Sequence, residues 1–72
     1  MYAIAHIFLC MGLRIRALRE RKGLSLRELA KQAGVDFSTI HRIEKGDELP
    51  RFGTLEKLAA ALNVSVRDLI EK

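Results

Sequence analysis

Apolar residues recur at helical spacing along most of the chain, and short polar or glycine-containing turns separate these stretches. The pattern predicts a first helix over Leu13 to Lys22, a second between Ser25 and Gly34, a third between Asp36 and Gly46, a fourth from Phe52 or Thr54 to Leu62, and a short fifth after Ser65. Residues 12–72 show neither the alternation typical of strands nor any repeat. The sequence therefore predicts an all-α fold of five short helices.

The predicted helix ends carry residues suited to them. Ser25 followed by Glu28 is the signature of a capping box, and Asp36 is a good N-terminal cap. Gly34 and Gly46 are expected to end the second and third helices, because glycine adopts the left-handed conformation without steric cost. Because so few residues join the second and third helices, these two must cross steeply, which pushes the third helix outward.

The first predicted helix has an imperfect helical pattern, with apolar positions Leu13, Ile15, Ala17 and Leu18. The later helices have apolar residues that should face the core: Leu26, Leu29, Ala30 and Ala33; Ile40 and Ile43; Leu55, Leu58, Ala59 and Leu62; and Val66, Leu69 and Ile70. Once Ile40 and Ile43 face inward, the opposite face of the third helix must project outward. That face carries Phe37, Ser38, His41 and Arg42.

Composition and charge point to one soluble domain with an anionic partner. The 72 residues, 49% hydrophobic and 31% charged, are typical of a single globular domain. Residues 1–46 hold nine Lys or Arg against four Asp or Glu, whereas residues 47–72 hold four against five. The excess of positive charge therefore belongs to the part of the chain that contains the tightly joined second and third helices. Nucleic acid is the commonest anionic partner of a surface with such an excess. The alternative is a solvated basic surface without a partner.

The first eleven residues differ from the rest because they contain no Asp, Glu, Lys or Arg. They are too few to span a bilayer, and they lack the basic start and cleavage site of a secretory signal. We interpret residues 1–11 as an apolar arm ahead of a domain over residues 12–72. Translated sequence upstream of a natural start at Met11 is the alternative. The single Cys10 excludes an internal disulfide and fits a reducing cytoplasm.

The sequence gives little support for catalysis, a metal or a cofactor. His41 and Glu44 lie one turn apart but lack the second histidine of a metalloprotease motif. His6 and Cys10 supply at most two ligands where a structural zinc site needs four. We therefore expect neither an enzyme nor a bound cofactor, and no small-molecule ligand.

Five motifs stand in register along the chain: "LRERKGLS", "ELAKQAGV", "IHRIEKG", a proline four residues after the glycine of that motif, and "LAAALNVSVRDL". Through these motifs the chain resembles the phage-repressor and Cro family, also called Xre-like. The resemblance covers Gly12 to about Ile70. It implies a lambda-repressor-like helix-turn-helix domain whose third helix lies in the DNA major groove. Ala30 would lie where the two crossing helices touch.

The resemblance also implies roles for individual residues. The positions that contact bases match Phe37, Ser38 and Arg42, with Arg42 suited to guanine and Phe37 to a thymine methyl. The expected contacts to the DNA backbone are Ser25 (through the free amides of its helix), Arg27, Thr39, His41, Lys45 and Arg51. Leu26 departs from the phosphate-binding Gln frequent in the family, and Arg27 is the candidate substitute. The acidic Asp36 is expected to cap its own helix.

Arg19 and Glu44 match positions that form a partly buried ion pair in several family members. Such a structural pair would join the first helix to the end of the third. The alternative is two unrelated surface charges.

The expected function is that of a sequence-specific transcriptional regulator, a repressor, which binds double-stranded DNA as a homodimer on a palindromic operator in the cytoplasm, with no membrane partner. The alternative is an antitoxin or adaptor that uses the same fold to bind a protein. In the family the dimer contact commonly involves the last helix, here Val64 to Ile70. The apolar arm should add to it as a strand or extended segment, unless it continues the first helix.

Overall fold

The computed structural model describes the backbone of residues 2–70 and the side chains of residues 10–70. Within these residues the chain forms five α-helices: α1 (Tyr2–Arg21), α2 (Leu26–Ala33), α3 (Phe37–Lys45), α4 (Phe52–Leu62) and α5 (Val66–Ile70). This part of the chain contains no strand, so the prediction of five helices in an all-α fold is confirmed. No helix in the described range combines the length and apolar character that crossing a membrane requires.

The first helix begins far ahead of the predicted start. Residues 2–11 are helical and form the first half of α1, which continues without interruption to Arg21. The expectation of a strand or extended arm is therefore wrong, and the alternative, continuation of the first helix, is what the structure shows. No proline precedes Gly12, and adding residues to an existing helix costs far less than nucleating a new one. The side chains of His6 and of the predicted apolar contacts Ile4, Ile7, Phe8 and Leu9 lie outside the described residues.

The core lies where all five helices meet. Its fully buried side chains are Ile15, Leu29, Ile40, Ile43, Leu58 and Leu69. On α1 the inward residues are Met11, Ile15 and Leu18, whereas Leu13 and Ala17, apolar positions of the same helical pattern, are exposed.

The prediction that Ile70 points inward is wrong, since its side chain is 53% exposed. Leu69 fills the inward position of α5. The next residue of a helix points about 100° away from it, so Ile70 faces outward.

The predicted capping box of α2 and the glycine ends of α2 and α3 are confirmed. The Ser25 amide donates to Glu28 Oε1 at 2.8 Å, and the Glu28 amide donates to Ser25 Oγ at 3.1 Å. Gly34 and Gly46 are left-handed, with φ of 69° and 81°. The starts and stops of α2 and α3 are thus set by short-range hydrogen bonds and by residues that tolerate positive φ.

Gly12 lies where α1 packs closely against the backbone of α3. A Cβ built on this buried residue would lie 2.3 Å from the Ile43 carbonyl oxygen and 2.7 Å from that of Glu44. The obstacles are backbone atoms, which cannot move aside as a flexible side chain would. The packing between α1 and α3 therefore requires glycine at position 12, because every other residue carries a Cβ.

Gly12→Ala should destabilise the fold by about 1–3 kcal/mol, because α1 and α3 must separate to admit the methyl group. Gly53→Ala is the matched control, since a Cβ at Gly53, also within a helix, meets nothing within 4 Å. That substitution should stabilise α4 by about 0.5–1 kcal/mol. Thermal or urea unfolding of the two variants gives the comparison, and equal stabilisation by both would contradict the close approach.

Arg19 and Glu44 form a two-point ion pair that joins α1 to α3. Arg19 Nε lies 2.7 Å from Glu44 Oε2, and Nη2 lies 3.0 Å from Oε1. The remaining terminal nitrogen, Nη1, donates to the Leu24 carbonyl at 2.8 Å. The side chains are only 11% and 5% exposed. The hydrogen bond with Glu44 raises the pKa of Arg19, which favours the charged guanidinium that the pair requires.

Glu44→Ala should lower the free energy of unfolding by about 3 kcal/mol, since it leaves the buried Arg19 cation without its counter-ion. Adding Arg19→Ala should recover part of that loss. Glu20→Ala is the exposed control, because Glu20 pairs with Arg16 at 3.2 Å with both side chains more than half exposed, and it should cost under about 0.5 kcal/mol. Strictly additive losses in the Arg19–Glu44 double-mutant cycle would show that the pair contributes no coupling.

Candidate nucleic-acid interface

A turn of three residues, 34–36, joins α2 to α3. The Gly34 and Val35 amides both donate to the Ala30 carbonyl, at 2.9 and 3.1 Å, which closes the end of α2. Asp36 Oδ2 then accepts from the Ser38 amide at 3.1 Å, so the prediction that Asp36 caps its own helix is confirmed. Both helix ends at the turn are therefore satisfied locally, and the chain changes direction within a few residues.

One face of α3 packs against the core, and the opposite face is open to solvent. Ile40, Ile43 and Glu44 are buried. Ser38, His41, Arg42 and Lys45 are exposed, whereas Phe37 and Thr39 are half-buried. The structure thus brings six of the residues predicted to contact DNA together on α3, whereas Ser25 and Arg27 belong to the start of α2 and Arg51 to the start of α4.

The Phe37 ring is half-buried and contacts two neighbouring side chains, those of Arg27 and His41. The Arg27 guanidinium carbon lies 5.0 Å from the centre of the Phe37 ring. The His41 ring stacks against it with centroids 6.2 Å apart and planes inclined by 26°. A cation–π contact of this kind at an exposed site contributes about 0.5–1 kcal/mol. Arg27 of α2 is therefore held against α3, and its exposed side chain lies beside the first turn of α3, which contains Ser38.

Two cations of α3 are paired with acidic residues of the following loop. Arg42 Nε lies 2.8 Å from Glu48 Oε1, and Lys45 Nζ lies 3.6 Å from Asp47 Oδ2. These side chains are between 37% and 57% exposed, and exposed pairs contribute little to stability. The sequence analysis missed Glu48, because it lies beyond the end of α3, where helical spacing no longer predicts neighbours.

The start of α2 is less open to an anion than the resemblance suggested. Hydrogen bonds from the Ser25 amide and hydroxyl hold the Glu28 carboxylate at the helix N-terminus and lower the pKa of Glu28. A carboxylate at this position competes with a phosphate for the same positive end of the helix. Leu26, which replaces the frequent glutamine, is half-buried and packs against the core.

A cleft of about 450 Å³ lies between α1, α2 and α3, beside the outward face of α3. The Arg19–Glu44 pair lies among its walls, and Arg16, His41 and Lys45 give it three basic or titratable side chains. The sequence analysis did not select Arg16, since nothing in the spacing of α1 shows that it faces α3. Arg51, predicted to contact the DNA backbone, is exposed at the start of α4.

A family model described as helix-turn-helix, HTH_3, matches residues 15–69. The chain belongs to this helix-turn-helix family. The resemblance to Xre-like proteins seen in the motifs is thereby confirmed.

The relatives are named as transcriptional regulators. The regulator SinR of Bacillus subtilis is 43% identical over 63 residues, which cover 86% of this chain and 57% of SinR. The repressor RghR of the same organism is 40% identical over 62 residues, covering 85% of this chain and 46% of RghR. The chain thus spans about half the length of the curated relatives it matches.

A solved structure relates this fold to a DNA complex. The structure of SinR, a master regulator of biofilm formation, in complex with DNA superposes with a TM-score of 0.82 and 44% identity. The match covers 85% of this chain and 98% of the solved one. The region shared with that structure is therefore nearly the whole of the solved SinR chain.

Proposed function

We propose that this chain binds double-stranded DNA in a sequence-specific manner through the outward face of α3 and acts as a transcriptional repressor. The observation that carries the proposal is the arrangement of α3, anchored by Ile40 and Ile43 while Ser38, His41 and Arg42 face solvent. The likeness to SinR, which has been solved with DNA, and to the repressor RghR supports it.

In the proposed complex α3 lies in the major groove and its side chains divide into two groups. Ser38 and Arg42 contact base edges, and the partly exposed Phe37 ring contacts a thymine methyl. Backbone phosphates are held by the side chains of Arg27, Thr39, His41, Lys45 and Arg51, and the predicted contact with the α2 N-terminus at Ser25 has to compete with the Glu28 carboxylate. Because phosphate contacts release counter-ions, binding should weaken steeply with salt.

We further propose that the repressor is a cytoplasmic homodimer on a palindromic operator. One α3 helix contacts too few base pairs to specify a site, and two-fold docking places two such helices in successive major grooves. The 53% exposed Ile70 at the end of α5 supports a dimer contact there, since an exposed isoleucine gains from burial against a second copy.

Selection of binding sites from random duplex DNA tests the function directly. We expect enrichment of an inverted repeat whose half-sites lie about 34–36 Å apart, one helical turn. Failure to enrich any sequence, together with stoichiometric capture of one protein from the native cytoplasm, would overturn the proposal in favour of an antitoxin or adaptor.

Arg42→Ala should weaken binding to the selected operator and flatten preference at one base pair of each half-site. A two-point arginine–guanine contact gives about 1–3 kcal/mol of discrimination. Lys45→Ala should instead weaken binding to every sequence and reduce the salt slope by about one. Titrations of operator and random duplexes at several salt concentrations separate the two effects. Equal losses on both duplexes for Arg42→Ala would assign Arg42 to phosphate and leave specificity to Phe37 and Ser38.

Ile70→Glu should raise the dimer dissociation constant, because it places a charge in the proposed contact. Leu13→Glu is the matched control, since Leu13 is equally exposed but lines the cleft between α1, α2 and α3. Sedimentation of both variants, and of the chain without residues 1–10, measures the contribution of each region. An unchanged dissociation constant for Ile70→Glu would exclude α5 from the dimer contact.

A further inference from the structure

The Glu48 carboxylate accepts a hydrogen bond from the Nε edge of the Arg42 guanidinium. Glu48 Oε1 lies 2.8 Å from Arg42 Nε, and Glu48 is the more buried partner, with its side chain 37% exposed against 52% for Arg42. Arg42 is on the outward face of α3, whereas Glu48 belongs to the loop before α4. The contact therefore joins the proposed base-reading residue to a fixed loop outside the helix.

The backbone at the end of α3 brings Glu48 back beside Arg42. Gly46 is left-handed, and its amide donates to the Ile43 carbonyl at 3.0 Å. The Asp47 amide donates to the carbonyl of Arg42 itself at 2.9 Å. These two bonds form a Schellman motif, and the buried Pro50 anchors the chain beyond it. The loop position of Glu48 is thus determined by bonds that include Arg42's own backbone.

The geometry leaves the outer edge of the guanidinium available. Arginine has one N–H at Nε and two at each terminal nitrogen. A contact with guanine O6 and N7 needs two parallel donors, and the two terminal nitrogens can supply them while Nε remains bonded to Glu48. A carboxylate at Nε therefore orients the guanidinium without occupying the donors that base reading requires.

We propose that Glu48 is a positioning residue that sets the sequence specificity of Arg42. The inference rests on the proposed function, and it assigns Glu48 two opposite effects. By orienting the guanidinium before DNA arrives, it increases discrimination in favour of guanine at one base pair. By placing a negative charge near the phosphates, it weakens binding to every sequence.

The test compares Glu48→Ala with Asp47→Ala in the full chain. Both substitutions remove one carboxylate from the same loop, but Asp47 pairs with Lys45 and not with Arg42. The probes are the selected operator, the operator with the Arg42-dependent base pair replaced, and a random duplex. Circular dichroism and thermal unfolding establish that each variant is folded, as expected for the loss of an exposed pair.

Glu48→Ala should reduce discrimination at that base pair by about 2- to 10-fold, the range that a coupling of about 0.5–1.4 kcal/mol gives, while binding to the random duplex becomes tighter. Asp47→Ala should tighten binding to all three probes and leave the base preference unchanged. Glu48→Gln, which keeps a hydrogen-bond acceptor without the charge, should restore part of the preference. In the Arg42→Ala background, Glu48→Ala should no longer alter discrimination.

Two results would overturn the inference. If Glu48→Ala retains full discrimination, or alters it equally with and without Arg42, then Glu48 does not act through Arg42. If the unmodified chain selects no DNA sequence, the proposed function and this inference fail together. A chain that selects an operator while Glu48→Ala keeps its preference overturns the inference alone.

Discussion

The two-point ion pair between Arg19 and Glu44 is the contact on which the presentation of α3 depends. It is nearly excluded from water, so either charge left without the other would be strongly unfavourable. The same guanidinium also donates a hydrogen bond to the carbonyl of Leu24, the residue before the Ser25 cap of α2. One side chain therefore ties α1, the approach to α2 and the end of α3 together.

Gly12 strengthens this constraint because it brings α1 against the backbone of α3 at the residues that include Glu44. The inward side of α3 is thus held by close backbone contact, a buried ion pair and the buried Ile40 and Ile43. Its outward side is held only by exposed contacts such as Arg42 with Glu48. A helix that is held firmly on its inward side suits base recognition, since it fixes the positions from which the outward side chains reach the groove.

The excess of positive charge in the first part of the chain is locally offset at the proposed interface. Glu28 and Asp36 cap the two helices of the turn, while Asp47 and Glu48 pair with cations of α3. Each carboxylate reduces general attraction for phosphate, yet each also orders a helix end or a side chain. The arrangement favours a defined geometry over maximal non-specific affinity for DNA.

The all-α class, the caps of α2 and α3 and the outward residues of α3 could be predicted from the amino-acid sequence, because capping bonds and helical periodicity join residues only a few positions apart. The motifs also indicated the family and the two partners of the Arg19–Glu44 pair. Four features became visible only in the folded chain: Gly12 touches a backbone, Ile70 faces solvent, Phe37 contacts Arg27, and Glu48 reaches Arg42. These features depend on where separate helices and loops meet in space, and neither local spacing nor residue type specifies that.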